Sequence, residues 1–185
     1  MRMGENKALK PFLGRPLVQR VIERLAPVAD ELLLTTNQPE YYAFLKLPLF
    51  MDIIPDRGAL GGLYTALVSA KYPSVAVVAC DMPFASAPLL VAAAGLLSRD
   101  EVDVVIAEAA EGFEPLHAVY HRETCIPAIE SAIEAGQWRI ISWFPQVKVR
   151  KLTPDELERY DPESLAFWNV NTPEEFSKAE QRASS

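Results

Sequence analysis

The chain has 185 residues, of which 50% are hydrophobic and 23% charged, and its formal net charge is -7 at pH 7. That is the balance of one soluble globular domain, spanning 1–185, with a sizeable core. The acidic excess argues against a broad nucleic-acid or anionic-membrane surface, since both need surplus Lys and Arg. One anionic small molecule stays compatible, because a few local cations and backbone N–H groups suffice to hold it. The two cysteines, Cys80 and Cys125, form neither a zinc-like spacing nor a disulfide framework. No apolar run is long enough to cross a membrane and the N-terminus has no apolar signal core, so the expected location is cytoplasmic.

The elements alternate along the chain. MRMGENKALKPFLGRPL reads as a loop handing over to a helix. PLVQRVIERLAPVAD places Leu17, Val18, Val21, Ile22 and Leu25 on one helical face, with Pro16 suited to the first turn. ELLLTTN is a buried strand ending in polar residues, PEYYAFLKL a short helix, and PLFMDII a strand. DRGALGG is a glycine-containing loop that runs into the helix ALGGLYTALVSAKY. SVAVVACDMPF is apolar on both faces, the pattern of a central strand covered by helices. APLLVAAAGLLSR is a helix, VDVVIAE and EPLHAVYH are strands, and TCIPAIESAIEAG is a helix closed by Gly136. RIISWF reads as a short helix and VKVRKL as a strand. LAFWNVN reads as strand-like, before a last helix from Pro173 with Thr172 as N-cap and Glu175 completing a capping box. Strands alternating with helices imply an α/β fold with a mostly parallel sheet.

Ligands of open α/β sheets bind beyond the carboxyl ends of the strands. The polar residues where apolar runs stop are Asn37, Asp52, Asp81 and Glu114, with Asn169 and Asn171 late in the chain. Asp81 is the sharpest: a carboxylate ending a buried strand suits Mg²⁺, which takes one or two carboxylates plus phosphate oxygens and water. A cap on the next turn is the competing reading. Gly61 and Gly62, in GALGG, offer backbone N–H groups near a helix start, or simply a tight turn. Lys7 could meet a phosphate as a point charge, though an isolated Lys is ordinarily a surface residue, and the same holds for Arg2. His117 reads as a strand residue, Cys80 as a small buried hydrophobe, and Trp138, Trp143 and Trp168 as packing anchors. No Ser-His-Asp or Cys-His arrangement stands out.

In order, RMGENKAL, GRPL, TTNQPEY, DIIPDRGALGGLYTAL, VACDMPF, EPLHAVY and WNVNTPEEF resemble the molybdenum cofactor guanylyltransferases from Arg2 to about Phe176. The resemblance implies a Rossmann-like nucleotidyltransferase domain with helices on both faces of the sheet. It implies transfer of GMP from GTP to molybdenum-molybdopterin with release of pyrophosphate, and Mg²⁺ as cofactor. By position, Lys7 matches the lysine that contacts the nucleotide phosphates, with Arg2 in the same segment. Asn37 and Asp52 match residues of the nucleotide pocket beside Gly61 and Gly62. Asp81 matches the Mg²⁺ ligand, and Asn169 and Asn171 the side nearer the pterin. Lys7 and Asp81 are thus the catalytic candidates. Molybdoenzymes or their chaperones are further partners the family implies. Such a reaction takes its nucleophile from the substrate, so the protein need only position two polyanions and offset charge. Related enzymes using CTP or a sugar phosphate, and an inactive nucleotide- or pterin-binding protein, remain alternatives.

Members of the family begin with an apolar strand and Leu-Ala-Gly-Gly-x-Ser-x-Arg-Met-Gly. Here that first strand and glycine-rich loop are expected to be absent from the chain, either because the start is assigned to an internal methionine, the favoured expectation, or because the chain begins here with its activity lost or very weak. The neighbouring strands would then leave backbone groups unpaired. A copy carrying the strand and loop is expected to unfold at higher denaturant concentration than the 185-residue chain; equal midpoints would count against that expectation.

Overall fold

The computed structural model describes residues 6–109 and 112–184, and Arg2 lies outside them. A single 3-10 turn, Lys7–Leu9, precedes a small antiparallel pair, β1 (Pro11–Phe12) and β2 (Arg15–Pro16). The reversal between them uses Leu13 and Gly14 at φ 49° and 79°. Helix α1 (Leu17–Leu25) buries Leu17, Val18 and Val21, three positions of its apolar face. Pro16 sits at the N-cap, just outside the first turn.

Strands β3 (Leu34–Thr35) and β4 (Leu49–Phe50) pair in parallel. The helix expected between them is instead two 3-10 turns, Pro39–Tyr41 and Ala43–Leu45, ended by Lys46 at φ 55°. Tyr42 accounts for the break. Its ring is buried with Ala8 and Val18, and its hydroxyl donates to Asn6 Oδ1 at 3.0 Å.

Helix α2 (Gly58–Ser69) leads to β5 (Ser74–Val78), α3 (Ala87–Arg99), β6 (Val104–Ala109), β7 (Gly112–His121) and α4 (Arg122–Glu134). Then follow β8 (Val149–Lys151), α5 (Pro154–Tyr160) and α6 (Pro173–Ala183). The main sheet has the order β5-β7-β6-β8. Strand β7 runs against β5 and β6, while β8 runs parallel to β6. Three strands therefore share one direction and β7 opposes them, which makes the sheet mixed.

Both faces are covered, as the two-sided apolar runs require. On β6, Val104 and Ile106 pack with Leu60, Leu63 and Leu67 of α2 and Ile129 of α4. The alternate residues, Val105 and Ala107, pack with Leu89, Ala93 and Leu97 of α3. Each fully buried Leu, Ile or Val contributes roughly 1.5–3 kcal/mol. Residues beyond β8 share these cores: Leu152 and Ala166 join the α3 side.

Four further expectations change. Strand β5 is an edge strand of the four-stranded sheet, and its residues are exposed or half-buried. Its composition permits burial on both faces but cannot supply a second neighbour, and β3–β4 form a separate ladder. Helix α2 packs against β3, β4 and β5 alike, so it bridges the break. LAFWNVN is not a strand; its residues turn to place Ala166 and Val170 in the core, with Phe176 just beyond. RIISWF is a run of turns ending in a 3-10 turn at Phe144–Gln146. Helix α5 is an addition to the expected elements, although Thr153 and Glu156 form the same capping box as Thr172 and Glu175.

His117, on β7, is 2% exposed. Its Nε2 accepts the Ser86 N–H at 3.0 Å, and Nδ1 has no partner among the described residues. Burial pushes this imidazole from 6.5 down to about 4. The native state therefore resists a proton that the unfolded chain accepts. The stabilising difference is present above pH 6.5 and is lost as pH falls through 4, and its full size is about 3 kcal/mol. Denaturant unfolding at pH 7 and pH 4.5 should therefore show a steeper acid loss for the wild type than for His117→Leu; parallel losses would contradict it.

Candidate functional site

The polar residues singled out at strand ends gather into two groups. The first lies past β3 and β4. Asn37 Nδ2 donates to Asp52 Oδ2 at 2.9 Å, and the Asp52 N–H donates back to Asn37 Oδ1 at 3.0 Å. This two-way pairing fixes the amide and the carboxylate together. Thr65 of α2 holds the next residue, its Oγ1 accepting the Ile53 N–H at 2.9 Å. Gly61 and Gly62 stand under the same pair. A Cβ at Gly61 would lie 3.0 Å from the Ile54 carbonyl and 3.6 Å from Asp52 Oδ2, and one at Gly62 would lie 3.9 Å from Asp52 Oδ1. GALGG is thus the first turns of α2 and not a preceding loop, because the helix already begins at Gly58. Gly61 serves close approach, whereas Gly58 has open space at its Cβ position and a positive φ.

The second group lies past β5. Asp81 is half-buried on the turn after the strand. Burial raises its carboxyl above the usual carboxylate range, opposed by its own backbone hydrogen bond and by the Lys7 charge. The Asp81 carbonyl accepts the Val170 N–H at 3.0 Å, which draws the NVN segment alongside. Lys7 Nζ donates to Asn171 Oδ1 at 2.9 Å, joining residues 164 positions apart. Lys7 is placed there by Ala8 and Leu9, which pack on Val18 and Ile22 of α1.

Glu175 is the residue whose part in the site sequence reasoning misses. The sequence gives it only a capping role, yet its Oε2 accepts the N–H groups of Asn171 (2.7 Å) and Thr172 (2.9 Å). Those backbone bonds hold its carboxyl below its ordinary value. The T-x-x-E pattern straight after NVN is the available signal. Glu175, Asn169 and Asn171 line a cavity of about 500 Å³, with Glu108, Glu114 and Trp168 on other sides. A larger cavity of about 710 Å³ beside the start of α3 holds none of the candidate residues. Two of its charged side chains, Arg182 and Glu163, pair at 2.5 Å.

The remaining candidates resolve as packing, with one exception. Cys80 packs with Val18 and Tyr42, and burial pushes its thiol up to about 11. Trp143 is fully buried and Trp168 stacks on Phe84. Trp138 is 44% exposed, and the Arg57 guanidinium lies 3.8 Å from its ring centroid. It is therefore no core anchor. The residues that converge offer a cation, a half-buried carboxylate and amide side chains. Such a set positions and neutralises anions. Among the described residues, no group of three or more His, Cys, Asp or Glu side chains gathers as a metal site. A lone strand-end carboxylate fits Mg²⁺ arriving with nucleotide phosphates and water as its other ligands.

Polar residues gathered at the strand ends of an α/β sheet occupy the place where ligands of such sheets bind, and comparison with known proteins gives the class: a nucleotidyltransferase. The fold is shared with a molybdopterin-guanine dinucleotide biosynthesis protein A from Archaeoglobus fulgidus. That structure has a TM-score of 0.85 and 24% identity, over 99% of this chain and 93% of the other. It is also shared with a 2-C-methyl-D-erythritol 4-phosphate cytidylyltransferase from Thermus thermophilus (TM-score 0.69, 14% identity, 100% and 96% covered). Residues 1–149 match the MobA-like NTP transferase domain, and the chain belongs to that family, within its molybdenum cofactor guanylyltransferases. It is 35% identical to the molybdenum cofactor guanylyltransferase of Desulfosudis oleivorans, across 96% of this chain and 87% of the relative. A probable molybdenum cofactor guanylyltransferase from Carboxydothermus hydrogenoformans is also 35% identical, across 96% and 88%.

Gly61 gives a direct check on the first group. Gly→Ala inside a helix ordinarily stabilises by about 1 kcal/mol. At Gly61 the added methyl meets backbone at 3.0 Å, so Gly61→Ala is expected to destabilise by about 1 kcal/mol. A thermal or denaturant midpoint at or above that of the wild type would show that the Ile54 carbonyl yields freely.

Proposed function

We propose that this chain transfers GMP from GTP to the phosphate of molybdenum-molybdopterin, releasing pyrophosphate, in the cytoplasm. The observation that carries the reading is the meeting of Lys7, Asp81 and the NVN segment at one strand end in a chain of the guanylyltransferase family. Asn37 and Asp52, locked to each other over Gly61 and Gly62, line the nucleotide side. Asn169, Asn171 and the cavity of about 500 Å³ line the pterin side.

In this reading an oxygen of the pterin phosphate attacks the α-phosphorus of GTP, and the bond to the pyrophosphate oxygen breaks. No protein nucleophile is needed, which accords with a protonated Cys80 thiol and a His117 whose Nε2 is already engaged. Lys7 exchanges its exposed bond to Asn171 for a phosphate oxygen. That releases the Asn171 amide to the incoming pterin while Glu175 keeps its backbone in place. Asp81 would hold Mg²⁺, which when bound supplies neutralisation of phosphate charge. The lysine charge near Asp81 favours the ionised form of this partly desolvated carboxylate.

Pyrophosphate release measured with molybdenum-molybdopterin, Mg²⁺ and GTP, CTP or ATP in turn should be fastest with GTP. Removing one preorganised charge-stabilising group typically costs about 10²–10³ in kcat. Asp81→Ala and Lys7→Ala are expected to fall in or near that range while keeping the wild-type melting temperature within a few degrees. Preference for CTP would reassign the nucleotide; nucleotide binding without turnover would make the chain a binding protein.

A further inference from the structure

We infer that His117 is a positioning residue for Asp81, acting through the Ser86 amide; the inference rests on the assignment of Asp81 to the nucleotide-phosphate site. The turn from Ala79 to Ser86 carries Asp81, and β7 holds both of its ends from consecutive residues. At the near end the Ala79 N–H donates to the Leu116 carbonyl at 2.8 Å. At the far end the Ser86 N–H donates to His117 Nε2 at 3.0 Å. Between them the chain bends through bonds from Met82 N–H to the Ala79 carbonyl (3.4 Å) and from Ala85 N–H to the Met82 carbonyl (3.2 Å). Arg24 Nε donates to the Ala85 carbonyl at 3.0 Å, and Met82 and Ala85 are buried. Asp81 is thus carried on a short arch whose two feet stand on one strand.

The first foot is a backbone pair and tolerates any residue at position 116. The second depends on a side chain. The Ser86 N–H precedes the helix, so α3 offers it no carbonyl, and Ser86 Oγ is occupied by the Leu89 N–H and the Tyr160 carbonyl. An acceptor must come from β7, and Nε2 of a neutral imidazole provides it. The proton then sits on Nδ1, which is buried without a partner among the described residues. Phe167 meets the ring edge-on at 5.2 Å. A leucine would fill this space and spare the stranded ring N–H, but it would leave the Ser86 N–H without its acceptor, and stranded buried donors are costly. What histidine adds over leucine is the hold on Ser86.

The test is a double-mutant cycle on Mg²⁺–GTP affinity, measured by calorimetry in wild type, His117→Leu, Asp81→Asn and the double variant. His117→Leu is expected to weaken binding about tenfold in the wild-type background and to add nothing once Asp81 is replaced, as directly coupled residues behave. His117→Gln, whose Oε1 reaches where Nε2 stands, should restore most of the affinity, and His117→Asn, too short to reach, should not. Hydrogen exchange at the Ser86 amide should speed up in the Leu and Asn variants and stay slow in the Gln variant. If His117→Leu does not fold, His117→Asn takes its place in the cycle. A loss of affinity that persists in full on the Asp81→Asn background, or no loss at all, overturns the inference. Pyrophosphate release on the same samples, with molybdenum-molybdopterin added, separates the two readings. Coupled binding without pyrophosphate sinks guanylyl transfer and leaves the positioning role standing; turnover without coupling sinks the positioning role alone.

Discussion

The hydrogen bond from the Val170 N–H to the Asp81 carbonyl, 3.0 Å long, ties the end of β5 to the segment before α6. Without that register the late asparagines would have no fixed height relative to the carboxylate, and Lys7 would have no amide to meet. One such bond is worth only about 1 kcal/mol net. It holds because Phe12, Leu17, Phe84, Val170 and Phe176 pack as one cluster beneath it. Phe12 meets Phe84 and Phe176 edge-on at 6.4 and 5.5 Å, and such aromatic pairs add about 0.5–1.5 kcal/mol each beyond their buried area. Packing brings β1, α1, the Asp81 turn and α6 together; the backbone bond then selects the alignment.

Two carboxylates stand within reach of the Lys7 charge, and their surroundings push them in opposite directions. Asp81 is raised by lost hydration, while Glu175 is lowered by the N–H groups of Asn171 and Thr172. Glu175 is therefore committed to the backbone, and Asp81 is the carboxylate left to gain from a new cationic partner. In the proposed function, a chain of net charge -7 holds a polyanion at this one spot. Local geometry, not overall charge, decides where the anion is welcome.

The elements with a strong period are legible in the sequence. Leu17, Val18 and Val21 announce α1, the T-x-x-E pattern announces α6, and the unbroken apolar runs announce β6 and the two covered faces. The same pattern at Thr153 announces α5 equally well. Strand β5 is different. Its apolar residues state what the strand tolerates, whereas its edge position depends on which strands lie beside it. LAFWNVN misleads for a related reason: its alternation serves inward turns of Ala166 and Val170, not a ladder. Asn37, Asp52 and Asp81 stand out because each ends an apolar run, whereas Lys7 taken alone reads as a surface residue. What no pattern conveys is their grouping, Asn37 with Asp52 and Lys7 with Asn171, because those pairs are made by tertiary packing.

Trp138 is the most exposed of the three tryptophans, with Arg57 lying across its face at 3.8 Å, while Trp143 is fully buried and Trp168 is stacked on Phe84. Arg57 stands at the N-cap position of α2 without a side-chain capping bond, and its Cβ lies against Gly61. The guanidinium therefore mechanically links an indole at the surface to the start of the helix that underlies the Asn37–Asp52 pair. A collisional quencher in solution reaches this indole before the other two, so the chain carries an intrinsic optical gauge of that helix end, read without adding a dye.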